Sequence, residues 1–427
     1  MSYHEWEVCI KKIILVITLI LLVPITLPAA DIIKIEPYII LQEEFSDNIN
    51  LTASDTKSDF ISTISPGIRL SDVCQTSSLN IDYRLGVNLF AQESQNDYTS
   101  HLAELNGSYV PNPKLLFRIR DSYARSDDTL ERVYTLIGQN GEYLLSSNRQ
   151  RFIYWRNVLE PEIEYRLGPE SRVNLFYRDN VYRSDNPSSD DSREDFVNPS
   201  IIYWFTQKHG INTEYAFVRG NFDRSADLNG HMARGRYMYR TSPANILFGE
   251  YRFLKRNFDL NQPDYTVQNP SLGMDYAISP TVSGRFQIGY YWFSPESGSH
   301  ESCPAGEISI LKRLMDTSLS ASAKWGFYEN YFTSENLGFA KYYGLFGSIY
   351  HQFNLLTSMG IATSIEWADY EFNRNDRIWL LTAVLTHTPE KWLSISLEFN
   401  HRKNSSNVES FEYDENRIMI RMVASYI

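Results

Sequence analysis

Cysteine is almost absent from this chain: Cys9, Cys74 and Cys303 are the only three in 427 residues. A disulfide framework is therefore excluded, and size and packing must hold the fold. A basic excess is missing too. With 40 Lys and Arg against 52 Asp and Glu, the formal charge is −12, and no basic stripe is available to neutralise phosphates, so no nucleic-acid partner is expected. Beyond residue 30 there is no apolar run of the roughly 18 to 20 residues that a spanning helix needs. The histidines of the main chain body, His101, His209, His231, His300, His351, His387 and His401, show no close ligand-like spacing, so neither a metal nor a cofactor is expected. Nor do a nucleophile, a base and an orienting group stand together in any recognisable pattern, which argues against an enzyme.

What is present begins at the N-terminus. Lys11 and Lys12 precede an apolar run from Ile13 to Leu27, interrupted by Pro24, that reaches Ala29 and Ala30. That is the layout of a secretory signal peptide, with cleavage expected near Ala30. Cys9 has no small-residue run before it and is not read as a lipidation site. The expected organisation is a signal over residues 1–30 and one domain over 31–427. An exported chain of this length is soluble, secreted or a barrel, and periodicity must decide between them.

Aromatic residues are plentiful, with 29 Tyr, 23 Phe and 8 Trp, and they sit within one repeated pattern. Stretches of about ten residues alternate apolar with polar, then break. In the clearest, Leu79, Ile81, Tyr83, Leu85, Val87 and Leu89 point one way and Asn80, Asp82, Arg84, Gly86 and Asn88 the other, because strand side chains alternate faces. The split recurs at residues 281–293 and 392–402. About eighteen to twenty strands are expected on this pattern. The breaks alternate in character. Pro111-Asn112-Pro113, Gly168-Pro169-Glu170, Thr241-Ser242-Pro243, Ser279-Pro280 and Thr388-Pro389-Glu390 are short; residues 126–151, 184–195, 294–306 and 403–413 are long and polar.

The alternation of breaks predicts a fold: all-β, a transmembrane antiparallel up-and-down β-barrel with short periplasmic turns and long outer loops. A large soluble sandwich competes, since any half-buried sheet alternates. Against it stand the long charged side chains of the polar face and the run of local hairpins without crossovers. Aromatic residues toward strand ends, Phe90, Tyr165, Tyr177, Trp325, Phe327 and Trp367, read as a girdle at the lipid headgroups. In the last strand Ile418, Ile420, Met422 and Ala424 face lipid, with Arg417, Met419 and Arg421 opposite.

The polar faces supply candidate lumen residues: Arg84, Arg118, Arg120, Glu160, Glu162, Glu164, Arg166, Arg234, Arg236, Glu250, Arg252, Arg285, Gln287, Lys324, Glu398 and Arg402. Glu160, Glu162 and Glu164 lie about 7 Å apart on one face, a spacing that admits glycosidase-like pairing; a charged wall neutralised by neighbouring arginines is the expected reading. Cys74 is placed in a periplasmic turn and Cys303 in an outer loop, too far apart to pair. Residues 126–151 carry a faint helical spacing at Leu130, Val133, Leu136 and Ile137, which suits a constriction folded into the lumen as well as a plain outer loop. The acidic stretch Asp190 to Glu194 is expected to be a solvated loop rather than a divalent-cation site.

The unit Tyr154-Trp155-Arg156-Asn157, its continuation to Tyr165-Arg166-Leu167-Gly168-Pro169, the strand Val173 to Tyr182 and the closing Asn416-Arg417 strand together resemble the outer-membrane β-barrel porin families, including the branch encoded beside exosortase and exopolysaccharide systems. The resemblance implies a channel-like protein of the bacterial cell outer membrane, and it carries over no catalytic residues. The expected function is passive passage or export of solutes or polysaccharide through a charged lumen. A surface-binding barrel with a closed lumen and an outer-membrane hydrolase are the alternatives. Expected partners are outer-membrane lipid and lipopolysaccharide, the barrel-assembly machinery and exopolysaccharide secretion components.

Overall fold

A computed structural model describes residues 33–128, 130–131, 146–147, 151–260, 262–332, 336–371 and 373–426. The expected export signal and most of the 126–151 break lie outside the described residues. Twenty long strands, of 12 to 17 residues each, follow one another as antiparallel neighbours from Lys34–Ser46 to Tyr413–Ser425. The first then pairs with the last, from Tyr38 opposite Ser425 to Ser46 opposite Arg417. No edge is left at that junction, which is what closure of a sheet achieves. An even strand number returns both ends of the barrel to the same rim.

The period-two pattern decides which face each residue takes. On Tyr413–Ser425, Glu415, Arg417 and Met419 are at most 1% exposed, whereas Ile418 and Ile420 are 48% and 55% exposed. Asn88 is buried and its neighbour Leu89 exposed. Charge inside and hydrocarbon outside is the inverse of a soluble sandwich, and it is stable only where the outer surface meets lipid. The two rims differ as the breaks predicted. At one, two- to five-residue turns join the strands, several through a bulge beside the turn, as between Arg240 and Ser242 or His387 and Glu390. At the other rim most connections are longer, from five residues upward, the three-residue one at 371–373 excepted.

Several expectations need correction. Phe90 and Phe327 are not girdle residues. Phe90 falls on the inward face and packs with Ile49, Ile61 and Tyr98; Phe327 joins an interior aromatic cluster. Cys303 lies on the strand Glu301–Arg313, facing that cluster, rather than in a loop. The acidic stretch is not solvated: Asp190 is buried and accepts a bond from Asn336, while Glu194 is on a strand and pairs with Arg178 at 2.7 Å. The outer face is also less uniformly apolar than expected. Asp121, Asn157, Asp179, Arg193 and Asp195 point outward on adjacent strands, where they pair with one another: Asn157 donates to Asp121 at 2.7 Å and Arg193 to Asp179 at 3.0 Å.

A charged lumen closed by an inward hairpin

Every candidate lumen residue stands on an inward-facing position, and the register explains how they meet. Cross-strand neighbours on one face approach within reach of long side chains, and here carboxylates and guanidinium groups alternate. Arg118 lies 3.1 Å from Glu162 and Arg120 3.6 Å from Glu160; Arg166 is 3.0 Å from Glu164. Glu250 is the busiest acceptor, with Arg236 at 2.6 Å, Arg234 at 3.5 Å and Arg252 at 3.9 Å, while Arg234 also reaches Glu214 at 2.7 Å. Gln287 donates to Ser271 at 2.8 Å and Arg285 to Asp275 at 2.6 Å. Glu398 accepts from Asn400 at 2.7 Å, and Arg402 is bonded to Glu415. Lys324 stands opposite Glu307 in the ladder, and Arg84 opposite Gly67 and Leu102. Arg118 and Arg120 remain over a third exposed, so each such pair adds little stability. Their effect is to give the wall a dense alternation of both charges.

The long-loop half of the lumen is different. The strand Glu301–Arg313 pairs with Thr317–Asn330 only from Arg313 opposite Ser318 to Gly306 opposite Trp325. The next residue, Gly326, has φ of +144°, a conformation that suits glycine and strains other residues. A Cβ there would stand 3.1 Å from the Cβ of Ala305. Beyond this hinge the hairpin stays zipped to its own partner strand, Phe327 opposite Lys341 and Asn330 opposite Gly338, but leaves the wall and turns inward.

Both faces of the hairpin are then covered. Phe327, Tyr331 and Phe339 pack with Tyr265, Tyr291 and Phe293 of the wall, backed by Val218, Leu254 and Val267. Tyr328 and Ala340, on the opposite face, pack with Ala368 and Tyr370. The charged groups inside this apolar mass are paired: Glu329 pairs with Arg256 at 2.5 Å and accepts from the Tyr265 hydroxyl, which also bonds Tyr331 at 2.6 Å. The tip reaches across the lumen. Arg156 donates to the Phe332 carbonyl at 3.2 Å, Phe332 stacks on Phe222 at 5.4 Å, and Asn336 donates to Asp190 at 3.1 Å. Sequence reasoning missed this device. Its signal was the breakdown of alternation at Phe327-Tyr328 and Tyr331-Phe332, where aromatic residues occupy both faces at once.

The first long connection also folds in. Ile49 and Leu51 are buried, and Arg151 donates to the Ile49 carbonyl at 2.9 Å, pairs with Asp127 at 3.3 Å and covers the Phe90 ring at 4.8 Å. Burial pushes the Asp127 carboxyl up to about 7, with Arg151 pulling in the opposite direction. Arg417 ties this corner together, 3.3 Å from Glu44, 3.4 Å from Glu415 and 3.5 Å from Asp128.

Most of the histidines face outward. His101 bonds Tyr83, His209 bonds Tyr237, His231 bonds Tyr215, His351 bonds Thr317 and His387 bonds Thr357. Among the described residues no group of three or more His, Cys, Asp or Glu is arranged to hold a metal ion. Cys74 lies in a short turn with its thiol 3.6 Å from an Asp72 carboxylate oxygen, and Cys303 is a free thiol.

A closed antiparallel barrel, apolar outside and charged inside, with short turns at one rim and long loops at the other, is the architecture of outer-membrane β-barrel proteins. No family profile and no curated protein matches the sequence. Among solved structures, the chain is similar to the siderophore receptor PirA of Pseudomonas aeruginosa, at 10% identity over 93% of this chain and 81% of that one, with a TM-score of 0.52. It is similar to the ferric enterobactin receptor PfeA of the same bacterium at 8% identity over 92% and 81% of the two chains, TM-score 0.52. OccAB3 of Acinetobacter baumannii aligns over 92% of this chain and 99% of its own at 9% identity, TM-score 0.42. At such identities the likeness is one of fold.

Proposed function

We propose that this protein is an outer-membrane channel that passes or exports solutes or polysaccharide through its charged lumen, and that the inward hairpin closes its outer mouth. The observation that carries the reading is the division of the lumen: an alternating Arg and Glu wall toward the short turns, and an aromatic closure hinged at Gly326 toward the long loops. Barrels of sixteen to eighteen strands leave an aqueous channel and those of twenty-two a plugged one; a wall of this size has room to conduct once the hairpin moves. On this reading the candidate lumen residues select by width and charge, and no chemical step is performed.

The same closure favours a second reading, a surface-binding barrel whose lumen is permanently sealed. Planar-bilayer conductance separates the two. The channel reading expects few or no steps from the intact protein and stable steps from a variant shortened between residues 328 and 339. A shortened barrel that keeps its heat-modifiable gel migration and still gives no steps would assign the sealed, surface-binding role. Loss of polymer secretion in a deletion strain, with general permeability unchanged, identifies polysaccharide as the cargo.

A further inference from the structure

Between two neighbouring short turns, at the rim opposite the hairpin, lies a cavity of about 520 Å³. Its lining joins the turn Pro113-Lys114, the turn from Leu167 to Ser171, and the inward ends of the flanking strands, including Arg118, Glu164, Arg166 and Arg172. Four cationic side chains meet two carboxylates here. The two carboxylates balance them only in part. Glu170 is held by Arg240, which donates to both its oxygens at 2.9 and 3.0 Å and lies 4.0 Å over the Trp204 ring. Glu164 is shared by Arg166 at 3.0 Å and Arg172 at 4.0 Å. Arg118 has Glu162, but the Lys114 ammonium has no carboxylate partner among the described residues. Arg166 and Arg172 keep 54% and 51% of their side-chain surface open to solvent.

Elsewhere on the inward surface a carboxylate such as Glu250 meets several arginines, Arg234, Arg236 and Arg252, so a positive cup that is only partly compensated at one mouth is a local departure. We infer that this cup is an anion-binding site, which receives carboxylate or phosphate groups of a solute entering from the short-turn side. The inference rests on the channel reading for its direction of entry, and it adds the chemical class of the cargo. Arg166 and Arg172 present planar forks suited to either group, and Lys114 adds a point charge. The positive potential at this mouth concentrates anions at the entrance. Past the cup the alternating Arg and Glu wall prevents a polyanion from being trapped, since Arg120, Arg234, Arg236 and Arg252 already have carboxylates competing for them.

The test is calorimetric titration of the full chain in detergent at low salt, using tripolyphosphate and trigalacturonate as probes. At least one should bind, with affinity falling as salt rises. The double variant K114Q/R172Q should lose tenfold or more, while K403Q, on the outer face at the far rim, should bind as the unaltered protein does. Binding of trigalacturonate alone assigns carboxylates, as in an acidic polysaccharide; binding of tripolyphosphate alone assigns phosphate. If neither probe binds, or the double variant binds as tightly as the unaltered chain, the cup is not an anion site. Conductance is read separately on the variant shortened between residues 328 and 339: one that conducts but binds neither probe refutes the cup alone, and one that binds but never conducts refutes the channel alone.

Discussion

Phe339→Ala is the sharpest way to ask whether the hairpin is a gate. The Phe339 ring is 2% exposed, stacks on Phe293 at 4.2 Å and on Phe327 at 5.5 Å, and meets Tyr265 and Tyr291 edge-on at 5.8 and 6.3 Å. Truncating a buried phenylalanine costs about 3–5 kcal/mol. Of these partners only Phe327 belongs to the hairpin; the others lie across the docking interface. Most of the cost therefore falls on docking and little on the hairpin's own ladder. Assigning about 2–3 kcal/mol to docking, at 1.4 kcal/mol per tenfold, shifts the closed-to-open ratio by roughly 30- to 140-fold. Single-channel recording reads this as open fraction at fixed voltage, with gel migration before and after boiling as the check that the barrel persists. An intact F339A barrel with the same open fraction as the unaltered protein would refute the gate, and so would steady full conductance from the unaltered protein itself.

Three further outcomes are expected. Gly326→Val places a branched side chain at φ of +144° and against Ala305, so the hinge should lose about 1–3 kcal/mol and Lys341 should be cut faster by trypsin; an unchanged digestion rate contradicts the hinge. Arg417→Ala removes the cation shared by Glu44, Glu415 and Asp128 and should cost about 3–5 kcal/mol, lowering the temperature at which the barrel loses its compact migration; an unaltered midpoint rejects the hub. Asp127, raised from 3.8 to about 7 and faced by Arg151, Asp128 and Tyr98, holds more protons folded than unfolded. Its contribution to docking of the first long connection is thus fully present below about pH 4 and lost as pH rises through 7. Amide exchange at Ile49 and Leu51 should be slower at pH 5 than at pH 8 after correction for intrinsic rates; equal protection argues against the coupling.

The wall was legible because each strand reports its own face. Leu79 to Phe90 and Ile418 to Tyr426 needed only period-two alternation, and the contrast between Pro111-Asn112-Pro113 and the long polar breaks supplied the sidedness. The closure was not legible in the same way. A hinge at Gly326 depends on a glycine that alternation treats as one more polar-face residue, and the packing of Phe339 on Phe293 joins strands that are not neighbours in the sheet. Phe90 failed for a related reason: aromatic residues near strand ends suit a headgroup girdle and an interior plug equally well, and only parity with Asn88 separates them. The anion cup brings together Lys114 and Arg172, nearly sixty residues apart, whose meeting follows from the pairing of Leu115–Ser126 with Tyr154–Arg166 and not from any local motif.

When the hairpin turns inward it deserts a neighbour. Residues 301–305 keep their ladder to Tyr290 and its surroundings, but the ladder toward the other side stops at Gly306. The cylinder therefore has a notch, a few residues of true sheet edge in an otherwise edgeless wall. Edges invite unwanted strand addition. Pro304 stands within the notch with no N–H to offer an incoming strand, and Lys341 covers Glu301 with an ion pair at 2.8 Å. The notch is also where the wall is thinnest in hydrogen bonds, so deuterium should enter Ser302, whose N–H points into it, before it reaches residues 307–312. Swinging the hairpin back into line would fill the notch, so that the open channel would be the better sealed cylinder.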